Sequence, residues 1–147
     1  MLAKISEFLF GGTRGFNDAE ARLLSFLMDS LPARDRDILA CQLMSVRKVQ
    51  RQNPGRLVAV YYRNSDEVPQ LPYLGYEYCL ANITYKSCGR SRTTSIVLHD
   101  GRLMTFERHV PTTLSDIETL SSVALHPGGF TTVAPDIDAE EHGEVST

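Results

Sequence analysis

The longest apolar run in the chain is Leu57–Tyr62, far short of the roughly 20 residues that span a bilayer. The opening stretch, MLAKISEFLFGG, carries one lysine, a broken apolar run and an internal Glu7, which makes a poor secretory leader. A cytoplasmic protein with no membrane role is expected. Cysteine is scarce: Cys41, Cys79 and Cys88, an odd number with no C-x-x-C pair. If the segment between Cys79 and Cys88 is extended, it holds them roughly 30 Å apart. A disulfide needs Cα atoms within about 7 Å. Three reduced, buried cysteines acting as small hydrophobes are expected, and neither a metal site nor a cofactor. No repeat recurs at a period of 20–50 residues, which excludes solenoids. H-E-x-x-H, G-x-S-x-G and nucleotide-binding motifs are missing. The run Gly11–Gly15 lacks the Gly-Lys-Ser/Thr ending of a phosphate loop and reads as a hinge. Residues 111–147 contain no base at all.

What is present is ordinary globular material. Hydrophobic residues make up 42% and charged residues 22% of the 147, enough to bury one core. The net charge of −3 is unevenly placed. Residues 1–110 hold all fifteen bases against eleven acids, a net +4, and the remainder holds seven acids, a net −7. Residues 1–130 are expected to form the domain. Residues 131–147 are expected to form an acidic, disordered tail dispensable for folding.

Leu2, Ile5, Phe8 and Leu9 share one helical face, so residues 1–10 read as a short helix that docks on the body. Asn17 with Glu20 three residues later is a capping-box start for a helix from Asp18 to about Ser30, with Leu23, Leu24, Leu27 and Leu31 as its apolar stripe. A second helix is expected over Arg34–Arg51, with Asp35 and Asp37 at its start, Arg47, Lys48 and Arg51 at its end, and Ile38, Cys41, Met44 and Val49 facing inward. Asn53-Pro54-Gly55 stops it. Leu57–Tyr62, apolar on both faces, reads as a central strand. Residues 64–75, with two prolines, read as a loop. Tyr76–Lys86 reads as a strand with Tyr76, Tyr78 and Leu80 on one face and Cys79, Ala81, Ile83 and Tyr85 on the other. A turn at Ser87–Ser91, a strand Thr93–His99, the Asp100-Gly101 hairpin turn and a strand Arg102–Val110 follow. Leu114–Leu125 reads as a last short helix capped by Ser115. The expected fold is α+β: an N-terminal helix pair on one face of a roughly four-stranded antiparallel meander, then a short C-terminal helix and the tail.

No arrangement of these residues points to catalysis. In the hairpin register His99 faces Arg102 and His109 lies roughly 23 Å away, so the two cannot share a proton or a metal. Glu77 and Glu107 are the strand carboxylates that could form an acid–base pair if one pocket held both. Binding is the better expectation. Arginine and tyrosine are the usual anchors of protein interfaces. The candidate partner-binding residues are Arg47, Arg51, Arg56, Tyr73, Tyr76, Arg90 and Arg92, on the sheet side and loops. The reading is a non-catalytic adaptor, inhibitor, immunity or chaperone-type protein with a protein partner, and a sheet edge could also pair across a twofold to give a homodimer. The alternative is a small-ligand or enzymatic pocket between helices and sheet. The third reading is nucleic-acid binding by the basic body, with Tyr61, Tyr62, Tyr76, Tyr78 and Tyr85 stacking on bases.

Overall fold

The computed structural model describes residues 15–52, 56–73, 75–108 and 117–126. The expected docking helix, most of the glycine hinge, His109, His142 and the acidic tail lie outside them. Two helices precede six strands. Helix α1, Asp18–Ser30, starts on the expected capping box: Asn17 Oδ1 accepts from Glu20 N at 2.8 Å, and Asn17 N donates to Glu20 Oε1 at 2.9 Å. Leu23, Leu24, Leu27 and Leu31 are all buried. Its last carbonyls accept from a neighbouring cation, since Arg36 Nε reaches Met28 O at 3.0 Å and Nη2 reaches Leu31 O at 3.1 Å.

Helix α2 spans Ala33–Met44, and strand β1, Val46–Gln52, follows after Ser45. The expected helix to Arg51 is therefore corrected: Arg47, Lys48 and Arg51 stand on a strand. Arg, Lys and Gln favour helix locally. Strand β2, Leu57–Tyr62, overrides that preference, because its buried Val58, Ala59 and Val60 sit in a strand that needs a ladder on both sides. The inward face of α2 is also different from the expected one. Asp35, Leu39 and Gln42 are buried, whereas Cys41 is exposed and Met44 is 88% exposed.

Strands β3 (Tyr78–Ser87), β4 (Arg90–His99), β5 (Arg102–Glu107) and β6 (Thr119–Leu125) complete an antiparallel sheet in the order β1-β2-β5-β4-β3-β6. The sheet has six strands rather than four, since β1 and β6 add one at each edge. Asp100 and Gly101 both take positive φ, 50° and 76°, and close the expected hairpin with His99 opposite Arg102. Cys88 and Gly89 do the same at 52° and 73°, so Cys88 is an exposed turn residue and not a buried one.

Four register shifts bend the sheet. The one between Cys79 and Ala81 adds a residue to β3, so Tyr78 and Leu80 join Ala81, Ile83 and Tyr85 in one core. The expected split of these residues between two faces is corrected for that reason. The one in β6 sets Leu120 and Val123, three positions apart, against the same core. A three-residue spacing imitates a helix, which explains why this strand was expected to be one. Both helices pack on one face. The opposite face of the central strands carries Ala59, Cys79, Ser95, Val97 and Thr105, which are buried too.

Candidate functional site

The candidate binding residues separate between the two ends of the sheet. Arg51, Arg56, Arg90 and Arg92 lie at the end where β2 and β4 begin, and Arg47, Tyr73 and Tyr76 at the other. Arg51 is committed to the fold: Nη2 and Nε hold Glu20 Oε1 and Oε2 at 2.6 and 2.8 Å, with Glu20 fully buried. Tyr73 stacks on Tyr78 at 4.7 Å and donates to Asp35 Oδ2 at 3.2 Å. Arg47, Arg56 and Arg90 are exposed, Arg92 is half-buried, and Tyr76 is 75% exposed with its ring edge-on to His99. The tyrosine platform does not form. Tyr78 and Tyr85 are buried, and Tyr62 turns inward and donates to Leu103 O at 2.6 Å. Glu77 and Glu107 stand roughly 15 Å apart by strand spacing, two strands across and four residues along, too far to act as a pair.

Two places gather polar chemistry that the sequence did not single out. The first is the fork between β2 and β5. Their ladder ends at Ala59 opposite Thr105, although both strands continue. A register shift at Leu103 and Met104 bends β5 away. Side chains take the backbone groups that β2 would have bonded: Leu103 N donates to Gln42 Oε1 at 3.0 Å, and Leu103 O accepts from Tyr62. Gln42, fully buried, also donates to Pro69 O at 2.8 Å and Gly101 O at 2.9 Å, tying α2 to the loop and to the hairpin turn. The wedge left open is a cleft of about 250 Å³ with Val60, Tyr62, Leu103 and Met104 on its walls and His99, Asp100 and Arg102 at its mouth. This cleft lies between two strands and is lined by no residue of the helix pair, so it is not the pocket expected between helices and sheet. Burial pushes the Tyr62 hydroxyl well above the usual phenol range, and nearby Arg102 opposes that shift.

The second is a network behind β6. Asn82 Oδ1 accepts from Ser95 Oγ at 2.6 Å and from the Cys79 thiol at 3.6 Å, and its Nδ2 meets His126 Nε2 at 3.0 Å. An amide nitrogen only donates, so Nε2 accepts and the ring proton sits on Nδ1. Cysteine, asparagine and histidine together suggest a thiol nucleophile. Burial, with the Glu107 charge adding to it, pushes the Cys79 thiol up to about 11, so it stays protonated and unreactive near neutral pH. The network is scaffolding that holds the end of β6, helped by Tyr78 Oη donating to His126 O and His126 N donating to Leu80 O. Asn82 left a trace in the sequence as one amide inside the run LANITY. Gln42 left none.

Among the described residues no three His, Cys, Asp or Glu side chains are placed to hold a metal ion, and no helix is long and apolar enough to cross a membrane. Comparison of the chain with protein-family models, curated proteins and solved structures gives no match.

Proposed function

We propose that this protein is a non-catalytic binding module that takes an extended segment of another protein onto the outer edge of β6. One observation carries the reading: the sheet has two outer strands, and among the described residues only one of them carries charged side chains. Strand β1 carries Arg47 and Lys48, the kind of charge that deters edge pairing. Strand β6, TLSSVAL, carries none, and among the described residues only β3 pairs with it. Thr119, Ser121, Ser122, Ala124 and Leu125 are exposed.

The edge is also held ready. At its start Glu118 N donates to Lys86 O at 2.8 Å, and Glu118 Oε1 accepts from Gly89 N at 2.9 Å. At its end the Asn82–His126 network fixes the residue that follows the strand. A strand fixed at both ends loses little entropy when a partner adds to it. The partner segment is short and extended, with small or apolar side chains at alternate positions, and a cytoplasmic setting belongs to the same proposal.

The test places lysines on the exposed edge, as Ser122→Lys with Ala124→Lys. Partners captured from host lysate by the tagged full chain after nuclease treatment are expected to fall at least about tenfold, with the melting temperature moving by less than about 4 °C. Undiminished capture overturns the reading. A wild-type dimer that becomes monomeric in the lysine variant also overturns it, since a second copy then occupies the edge.

A further inference from the structure

The cleft at the β2–β5 fork contains a cation that makes no ion pair among the described residues. Arg102 is half-buried, and its Nε donates to Val68 O at 2.9 Å. Among the described residues its guanidinium has no carboxylate within 4.0 Å, even though Asp100 stands two residues away across the turn. A guanidinium presents five N–H donors in a planar fork, so four remain for an acceptor. Partly burying such a group without a counter-charge is costly, and an anion entering the cleft offsets that cost.

The other walls describe the rest of the ligand. Val60, Leu103, Met104 and the Tyr62 ring supply apolar surface. The Tyr62 proton is committed to Leu103 O, so its oxygen can only accept. His99 Nδ1 lies 2.5 Å from Tyr76 O, and a peptide carbonyl only accepts, so His99 carries its proton there and its ring stands fixed at the mouth. Asp100 at the same mouth repels a second negative charge. A dry cavity of roughly 150 Å³ holds benzene. A cleft of about 250 Å³ accordingly holds one ring or short chain with its acid group. We infer that the fork is a binding site for a small monocarboxylate with an apolar body, its carboxylate paired with Arg102 and its body in the wedge between β2 and β5.

The probes are benzoate and hexanoate, with benzamide and inorganic phosphate as controls, titrated into the ¹⁵N-labelled full chain. Saturable shifts are expected at residues 60–62 and 99–104 with one or both carboxylates below about 10 mM. Benzamide, which keeps the ring and loses the charge, is expected to bind at least about tenfold more weakly, because a charge-assisted bidentate contact is lost. Arg102→Gln is expected to weaken carboxylate binding as much, and Asp100→Asn to strengthen it. The benzoate and benzamide comparison uses the wild-type chain and stands even if a variant fails to fold. Equal binding of amide and acid, binding unchanged in Arg102→Gln, phosphate binding in place of carboxylate, or no saturation by either carboxylate each overturns the site. None of these outcomes touches the β6 edge, which lies at the other side of the sheet.

Discussion

Gln42 and Asn82 are neutral amides in positions where burial alone favours an apolar side chain, and each keeps its place by bonding several partners at once. An amide offers two donors and an acceptor, so one side chain can join three chain segments. Beside Asn82, the burial of Cys79 fixes a measurable sign. The thiol's ordinary value is 9.0, and in the fold it is pushed up to about 11 by burial. Below pH 9 the thiol is protonated in both states and costs nothing. From pH 9 upward the unfolded chain releases its proton while the native thiol holds it, so stability falls as pH rises through the folded value. Stability by urea denaturation is expected to decline more steeply between pH 9 and 11 in the wild type than in Cys79→Ala. Parallel profiles would remove the argument.

At the scale of elements, α2 shows how a helix can be held by its polar residues. Its buried positions are Asp35, Leu39 and Gln42, of which one is apolar. Gln42 stands in for a stretch of ladder that β2 and β5 do not make, so removing it strikes the helix, the loop and the hairpin together. Gln42→Ala leaves Leu103 N and Pro69 O to find other partners, whereas Gly101 O still accepts from Leu71 N at 2.8 Å. It is expected to cost about 2–3 kcal/mol in denaturant unfolding, with the largest amide shifts at Gly101 and Leu103. A loss below about 0.5 kcal/mol would mean that water replaces the amide. The same element shows why local propensity carries the expected helix past its true end: helix propensity is local, whereas the ladder that draws residues 46–52 into β1 comes from β2.

At the scale of the whole molecule, both edges of the sheet are tied to the first two turns of α1. Arg51 of β1 holds Glu20, and Arg22 Nη1 donates to Ile117 O just before β6. A flat six-stranded sheet is too wide for that, and four register shifts supply the curl. Glu20→Ala removes the buried partner of Arg51 and half of the capping box. It is expected to cost about 3 kcal/mol or more in urea unfolding, against less for a paired replacement of Glu20 and Arg51 by leucine. If the single variant were the milder of the two, the ion pair would not be what binds β1 to the helix.

By itself the sequence determined those features whose causes lie within a few residues of one another. The capping box at Asn17 and Glu20, the leucine stripe of α1, the strand Leu57–Tyr62 and the positive-φ turn at Asp100-Gly101 are of this kind, and together they specify an α+β protein with an antiparallel sheet. Tertiary structure decided what depends on distant partners. It set the end of α2 and the strand state of residues 119–125, where a bulge gives the apolar residues a helical spacing. It also paired the half-buried Arg51 and Tyr73 with Glu20 and Asp35, which lie 31 and 38 residues away. Both candidate sites arise from the same cause. The fork exists because two strands separate, and β6 is an outer strand because it comes last in the sheet of the described residues, and neither property belongs to a segment taken alone.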